Sequence, residues 1–191
     1  MSNPVASNEN GSGHHRGARS ALLVVDMQAG LFDAEDQPFE RERILGNINA
    51  LVRSAREAGV PILAARHVGP VGSPLSPDSP ATRLVERLDI DLERDWVFTK
   101  TRPNCFFNTP LADELGRLET EELIIVGMKT QFCVDTTCRA AAERGLHPVL
   151  VADAHTCTDT AVLKARQIID HHNATLQAFA RIVRTVDCRF G

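Results

Sequence analysis

The sequence predicts an α/β fold: a three-layer, doubly wound domain on a six-stranded parallel sheet. Three observations lead there. Runs such as "ALLVVDM", "ELIIVG" and "HPVLVADA" are apolar almost throughout, as strands buried on both faces must be. The segments between most of them carry apolar residues at helical spacing. The two kinds of segment alternate, which is the pattern of βαβ units joined by crossovers.

The elements follow in order. "ALLVVDM" (21–27) is the first strand, and "ERERILGNINALVRSAREAG" a helix with Ile44, Ile48, Leu51, Val52 and Ala55 on one face, ending at Gly59. "VPILAARH" (60–67) is the second strand. "VGPVGSPLSPDSP" (68–80) has four prolines and three serines, and long irregular connections of that kind are disproportionately functional. "WVFTK" (96–100) is the third strand and "PLADELGRL" (110–118) a short helix with Pro110 near its start. "ELIIVG" (122–127) is the fourth strand, followed by a helix bearing Cys133. "HPVLVADA" (147–154) is the fifth, "DTAVLKARQIIDHHNATLQAFA" (159–180) a long helix, and "RIVRTVD" (181–187) the last strand.

Composition narrows the function. A chain of 191 residues holds one domain with a substantial core, read here as residues 19–191 behind a disordered Ser/Asn/Gly-rich arm at 1–18. A net charge of −4 gives no basic footprint, so no nucleic-acid partner is expected. No apolar run approaches the roughly 18 residues of a membrane span, and no membrane partner is expected either. The adjacent pair His14 and His15 falls in the arm and reads as solvent-exposed. The five cysteines form no CxxC pair, and no signal-peptide core precedes them, so reduced thiols and a cytoplasmic location are expected.

In open α/β sheets, ligands bind beyond the carboxyl ends of the strands, at the point where strand order reverses. The chemically interesting residues fall there: Asp26 ends the first strand, His67 the second, Lys100 the third, and Cys133 follows the fourth. A cysteine nucleophile needs a base or a positive field to form its thiolate, and donors for a developing oxyanion. Asp26 can deprotonate, Lys100 supplies charge, the helix N-terminus supplies its dipole, and the turn 127–133 supplies backbone N–H groups. Each residue has a plainer reading: a metal or phosphoryl carboxylate, an exposed lysine, a structural cysteine. Spacing alone leaves these open. A receiver-type domain would also want clustered acids and five strands, whereas this chain has one strand-end acid and six strands.

Three separated stretches, "ALLVVDMQAGLF", "KTRPNCFFNTPL" and "VGMKTQFCVDTTCRAA", resemble the isochorismatase-like cysteine hydrolases, in the right order and across residues 20–187. The resemblance implies a Rossmann-like six-stranded α/β fold and a catalytic trio of Asp26, Lys100 and Cys133. It also implies a non-proline cis peptide between Met128 and Lys129, which aims the Lys129 N–H, with that of Cys133, at an oxyanion. The Lys129 side chain is given no role. Nicotinamidases of the family carry an Asp-x-His metal motif after the first strand. Here "DAEDQPFERERILGN" contains no histidine and His67 stands alone, so no metal and no cofactor are expected. True isochorismatases replace the cysteine, which disfavours their vinyl ether chemistry. The implied reaction is cysteine-dependent hydrolysis of an amide, carbamoyl or lactam C–N bond in a small molecule, through a thioester, in a streptothricin-hydrolase-like branch. The alternatives are vinyl ether hydrolysis or a catalytically silent binding domain. A homo-oligomer, dimer or tetramer, is implied.

Around the trio, Gln28, His67, Asn104, Phe106 and Phe132 are the candidate pocket residues, with Phe106 and Phe107 expected to divide between core and rim. His171 and His172 lie about 100° apart on a helix, so they cannot share a ligand. Cys138, one turn beyond Cys133, is read as packing rather than as a resolving thiol.

Overall fold

A computed structural model describes residues 19–190; the proposed arm at 1–18 lies outside the described residues. Six parallel strands form one sheet: β1 (Ser20–Val25), β2 (Ile62–His67), β3 (Trp96–Lys100), β4 (Glu122–Met128), β5 (His147–Thr156) and β6 (Arg181–Val183), in the order β3-β2-β1-β4-β5-β6. The order reverses between β1 and β4, so the crevice expected for a ligand lies at their carboxyl ends. No described helix is long and apolar enough to cross a membrane.

The strands read as continuous apolar runs because both faces of the sheet are covered. On one face, α2 (Arg41–Glu57) lays Ile44, Leu45, Ile48, Leu51, Val52 and Ala55 against Leu22, Val24, Ile124 and Val126. On the other, Leu23, Val25, Leu63 and Ile125 meet Leu111 and Leu115 of α3 (Leu111–Arg117) and Cys138 and Ala141 of α4 (Asp135–Glu143). A single turn, α1 (Ala29–Phe32), follows β1, and α5 (Ala165–Thr175) precedes β6.

Three departures from the sequence reading have local causes. The last helix begins at Ala165, not at 159, because the Asp159 carboxylate accepts the Ala165 N–H at 2.8 Å and pairs with Lys164, holding the preceding residues as a loop. The last strand stops at Val183 because Asp153 Oδ1 accepts both the backbone N–H and the hydroxyl of Thr185, at 2.7 and 2.8 Å, and draws the chain off the sheet. The connection from β2 to β3 holds only a 3-10 turn, Pro80–Thr82, so the irregular stretch expected at 68–80 extends to the start of β3.

Candidate active site

Four chain crossings deliver the site. Asp26 follows β1 with its backbone in the left-handed region (φ 49°) and its side chain fully buried. His67 and Lys100 are register partners at the carboxyl ends of β2 and β3. β4 ends at Met128, and the Met128–Lys129 peptide is cis. Cys133 sits in a π-helical turn, Thr130–Val134, that runs directly into α4; such turns are rare and often functional.

Gly127 makes this approach possible. Its φ is 118°, and a Cβ there would lie 2.1 Å from the carbonyl oxygen of Val25 on β1. Only glycine fits. The β4–β5 register slips at the same point, Ile125 pairing with Leu150 but Gly127 with His155.

The Lys100 ammonium is the hub. Its Nζ lies 2.7 Å from Asp26 Oδ2, 3.3 Å from Cys133 Sγ, 3.4 Å from His67 Nδ1 and 3.2 Å from the Arg102 carbonyl oxygen. Donor atoms of Asp26, His67 and Cys133 all lie within 4.8 Å of one another, a set whose chemistry could hold a metal ion. Lys100 already takes up all three, so a metal would have to displace a buried cation.

The electrostatics refine the expected thiolate. Burial pushes the Cys133 thiol above its ordinary range, the Asp26 charge adds to that, and Lys100 pulls the other way. Burial also pushes the Asp26 carboxyl up against the pull of Lys100. Burial alone would lower Lys100, but the charge and hydrogen bond of Asp26, with Cys105 and Cys133 nearby, together outweigh it, and the ammonium is held. Burial and the Asp26 charge thus favour the thiol over the thiolate, and the chemistry of the sulfur calls for a proton acceptor. Asp26 Oδ1 is buried and has no hydrogen-bond partner among the described residues. His67 is lowered by burial and by Lys100, which favours the neutral ring, and its Nδ1 faces the Lys100 ammonium.

A cavity of about 260 Å³ opens over Asp26 and Cys133. Leu31, Leu75, Pro103 and Phe132 give it apolar walls, and His67 and Lys129 its polar ones. A larger groove of about 830 Å³, lined by residues including Arg66, Leu88 and Val97, contains none of the converging groups.

Of the pocket residues predicted from sequence, His67 and Phe132 line this cavity. Gln28, Asn104 and Phe106 do not, and each has another task. Gln28 is fully buried; its Nε2 donates to the carbonyls of His67 and Thr82, each at 2.9 Å, and its Oε1 accepts the His67 N–H at 2.8 Å. It clips the end of β2 beside β1. Asn104 Oδ1 accepts the Phe106 N–H at 2.8 Å and closes a turn. Phe106 is core, under the Arg144 guanidinium, while Phe107 is exposed. Lys129, given no side-chain role above, lines the cavity. His172 contacts Asp135 while His171 bonds Thr175, so the pair shares no ligand. Cys138 is fully buried, and burial raises its thiol too.

One buried group escaped the sequence reading. His155 accepts or donates at Nδ1 to Thr130 Oγ1 and at Nε2 to Asn173 Oδ1, both at 2.9 Å. Because Asn173 Nδ2 donates to the Ala152 carbonyl, its Oδ1 faces the ring; Nε2 therefore donates, and Nδ1 accepts the Thr130 hydroxyl. This braces the turn that carries Cys133. A histidine at the end of an apolar strand was the only available signal.

An acid, a lysine and a cysteine gathered at the switch point of a doubly wound parallel sheet define a class, the cysteine-hydrolase-like α/β domains. The family model for the isochorismatase domain matches residues 20–187. An uncharacterized isochorismatase family protein of Bacillus subtilis is 30% identical over 173 residues, covering 87% of this chain and 94% of its own. A streptothricin hydrolase of Streptomyces noursei is 34% identical over 140 residues, covering 73% of this chain and 55% of that protein. The crystal structure of an isochorismatase from Pseudomonas putida superposes with a TM-score of 0.81 at 30% identity, covering 88% of this chain and 89% of that one. The chain belongs to the isochorismatase family.

Proposed function

We propose that this protein hydrolyses an amide, carbamoyl or lactam C–N bond in a small molecule, with Cys133 as nucleophile. The observation that carries the reading is that Lys100 Nζ touches both Asp26 Oδ2 and Cys133 Sγ inside a closed, buried cluster. Relatives described as streptothricin hydrolase and nicotinamidase support the C–N assignment.

The steps follow from the charges. Asp26 takes the thiol proton as sulfur attacks the carbonyl carbon, and Lys100 steadies the forming thiolate. The carbonyl electron pair moves to oxygen, where the backbone N–H groups of Lys129 and Cys133 receive it. Collapse breaks the C–N bond, and protonated Asp26 returns its proton to the leaving nitrogen. Water then attacks the thioester, giving one proton to Asp26. The C–S bond breaks, the acid departs, and the sulfur recovers the proton. One water is consumed, and the trio is regenerated.

The test is a panel of small amides assayed for ammonia release. Cys133→Ala is expected to lose at least about 10³-fold in kcat. Full turnover in that variant would overturn the reading of Cys133 as the nucleophile.

A further inference from the structure

The charges facing the cavity do not cancel. Asp26 is neutralised by Lys100 at 2.7 Å, and the His67 imidazole is neutral. Leu31, Leu75, Pro103 and Phe132 contribute no charge. Lys129 forms no ion pair among the described residues; its Nζ reaches only the Thr158 hydroxyl, at 3.4 Å. Among the described residues, the ammonium of Lys129 is thus the one uncompensated charge on the cavity wall. A cationic substrate would meet no carboxylate there, while an anionic one would gain a charge-assisted hydrogen bond in a partly dry site.

Placement makes this specific. Lys129 lines the same cavity as Cys133 and its backbone N–H is a proposed oxyanion donor, so the backbone that would receive the oxyanion and the ammonium that awaits a partner belong to the same residue. The separation between the scissile carbonyl and any group bound by Nζ is then set by the reach of a single lysine side chain. We propose that the substrate carries an anionic group, a carboxylate foremost, a few atoms from its scissile carbonyl, and that the Lys129 side chain selects for it. The proposal rests on the reading of Cys133 as the nucleophile at a C–N carbonyl, and it adds the substrate's charge.

Two measurements separate the proposal from that reading. The first needs no acyl chemistry: Cys133 is alkylated with iodoacetate or iodoacetamide, the sulfur displacing iodide as the C–S bond forms, and the modified peptide is quantified by mass spectrometry. The ratio of the anionic to the neutral rate is expected to fall about tenfold in Lys129→Met, the order of one charge-assisted contact, and further in Lys129→Glu. In the wild type the ratio should fall as salt rises. A ratio that is equal in all three proteins overturns the proposal. Should a variant not fold, by circular dichroism, a wild-type ratio indifferent to salt does the same. The second measurement compares kcat/KM for succinamate, butanamide and 4-aminobutanamide. Succinamate should lead by about tenfold, and Lys129→Met should erase the lead. If the alkylation ratio follows Lys129 but no amide is cleaved, charge selection stands and C–N hydrolysis falls. If amides are cleaved without regard to charge in every variant, C–N hydrolysis stands and the role of Lys129 falls.

Discussion

At Asp26 the backbone turns into the left-handed region (φ 49°), an unusual conformation for a non-glycine residue, and the turn sets a carboxylate beside a buried ammonium and a thiol. The three groups restrain one another. Burial first, and then the Asp26 charge, raise the Cys133 thiol, and Asp26 helps to hold the Lys100 proton; both favour a protonated sulfur until a carbonyl arrives. This predicts a split result for Asp26→Asn. Loss of the carboxylate charge leaves Lys100 to pull the thiol down, so alkylation by iodoacetamide at neutral pH should quicken, by about tenfold for a one-unit shift. Turnover should nevertheless fall by about 10³-fold, because the proton has no acceptor and the leaving nitrogen no donor. Slower alkylation in this variant would mean that Asp26 activates the sulfur at rest, contrary to the assignment. Gln28 shows why residue-level reading of a sequence has limits: its position two residues after the acid suggested a pocket role, yet three hydrogen bonds to backbone atoms of distant segments claim its amide.

Among the elements, β4 and the turn that follows carry the largest local demand. Gly127 lies with its Cα against the β1 backbone, and a methyl group would have to enter a space already held by the Val25 carbonyl. Backbone atoms cannot swing aside as a side chain can. Gly127→Ala is expected to lower the free energy of unfolding by about 4 kcal/mol or more, from both the contact and the positive φ. Urea melts compared with the wild type would check it; a loss below about 1 kcal/mol would mean that β4 can move away from β1. The strands were legible because a strand buried on both faces is apolar at every position. The start of α5 and the end of β6 were not, because they depend on the side chains of Asp159 and Asp153, one a local cap and the other a partner 32 residues away. The trio was legible through strand-end placement and three motifs. The wall residue Leu31 comes from a single helical turn, and Leu75 and Pro103 from loops, none with a period to read.

For the molecule as a whole, acid stability should bear the mark of His155. Near the end of β5 and packed against the Thr130 turn and Asn173, with His172 and Asp153 nearby, it is lowered by burial to about 4 from an ordinary 6.5. An unfolded chain takes up this proton near pH 6.5, and the folded chain only near 4. Stability is therefore lost as pH falls through that window, by up to about 3 kcal/mol from this group alone. A non-titrating His155→Asn variant should show a flatter dependence of unfolding free energy between pH 7 and pH 4, and an unchanged slope would remove His155 from the account. The remaining consequence belongs to the strand order. Lys100, the hub of the cluster, is supplied by β3, the outermost strand on its side of the sheet, while Asp26 and Cys133 follow the inner strands β1 and β4. Edges open before centres do. A fluctuation that merely loosens that border would withdraw the shared cation and silence the chemistry while the interior stays intact, so the protein's competence is a finer gauge of its wholeness than its secondary structure is.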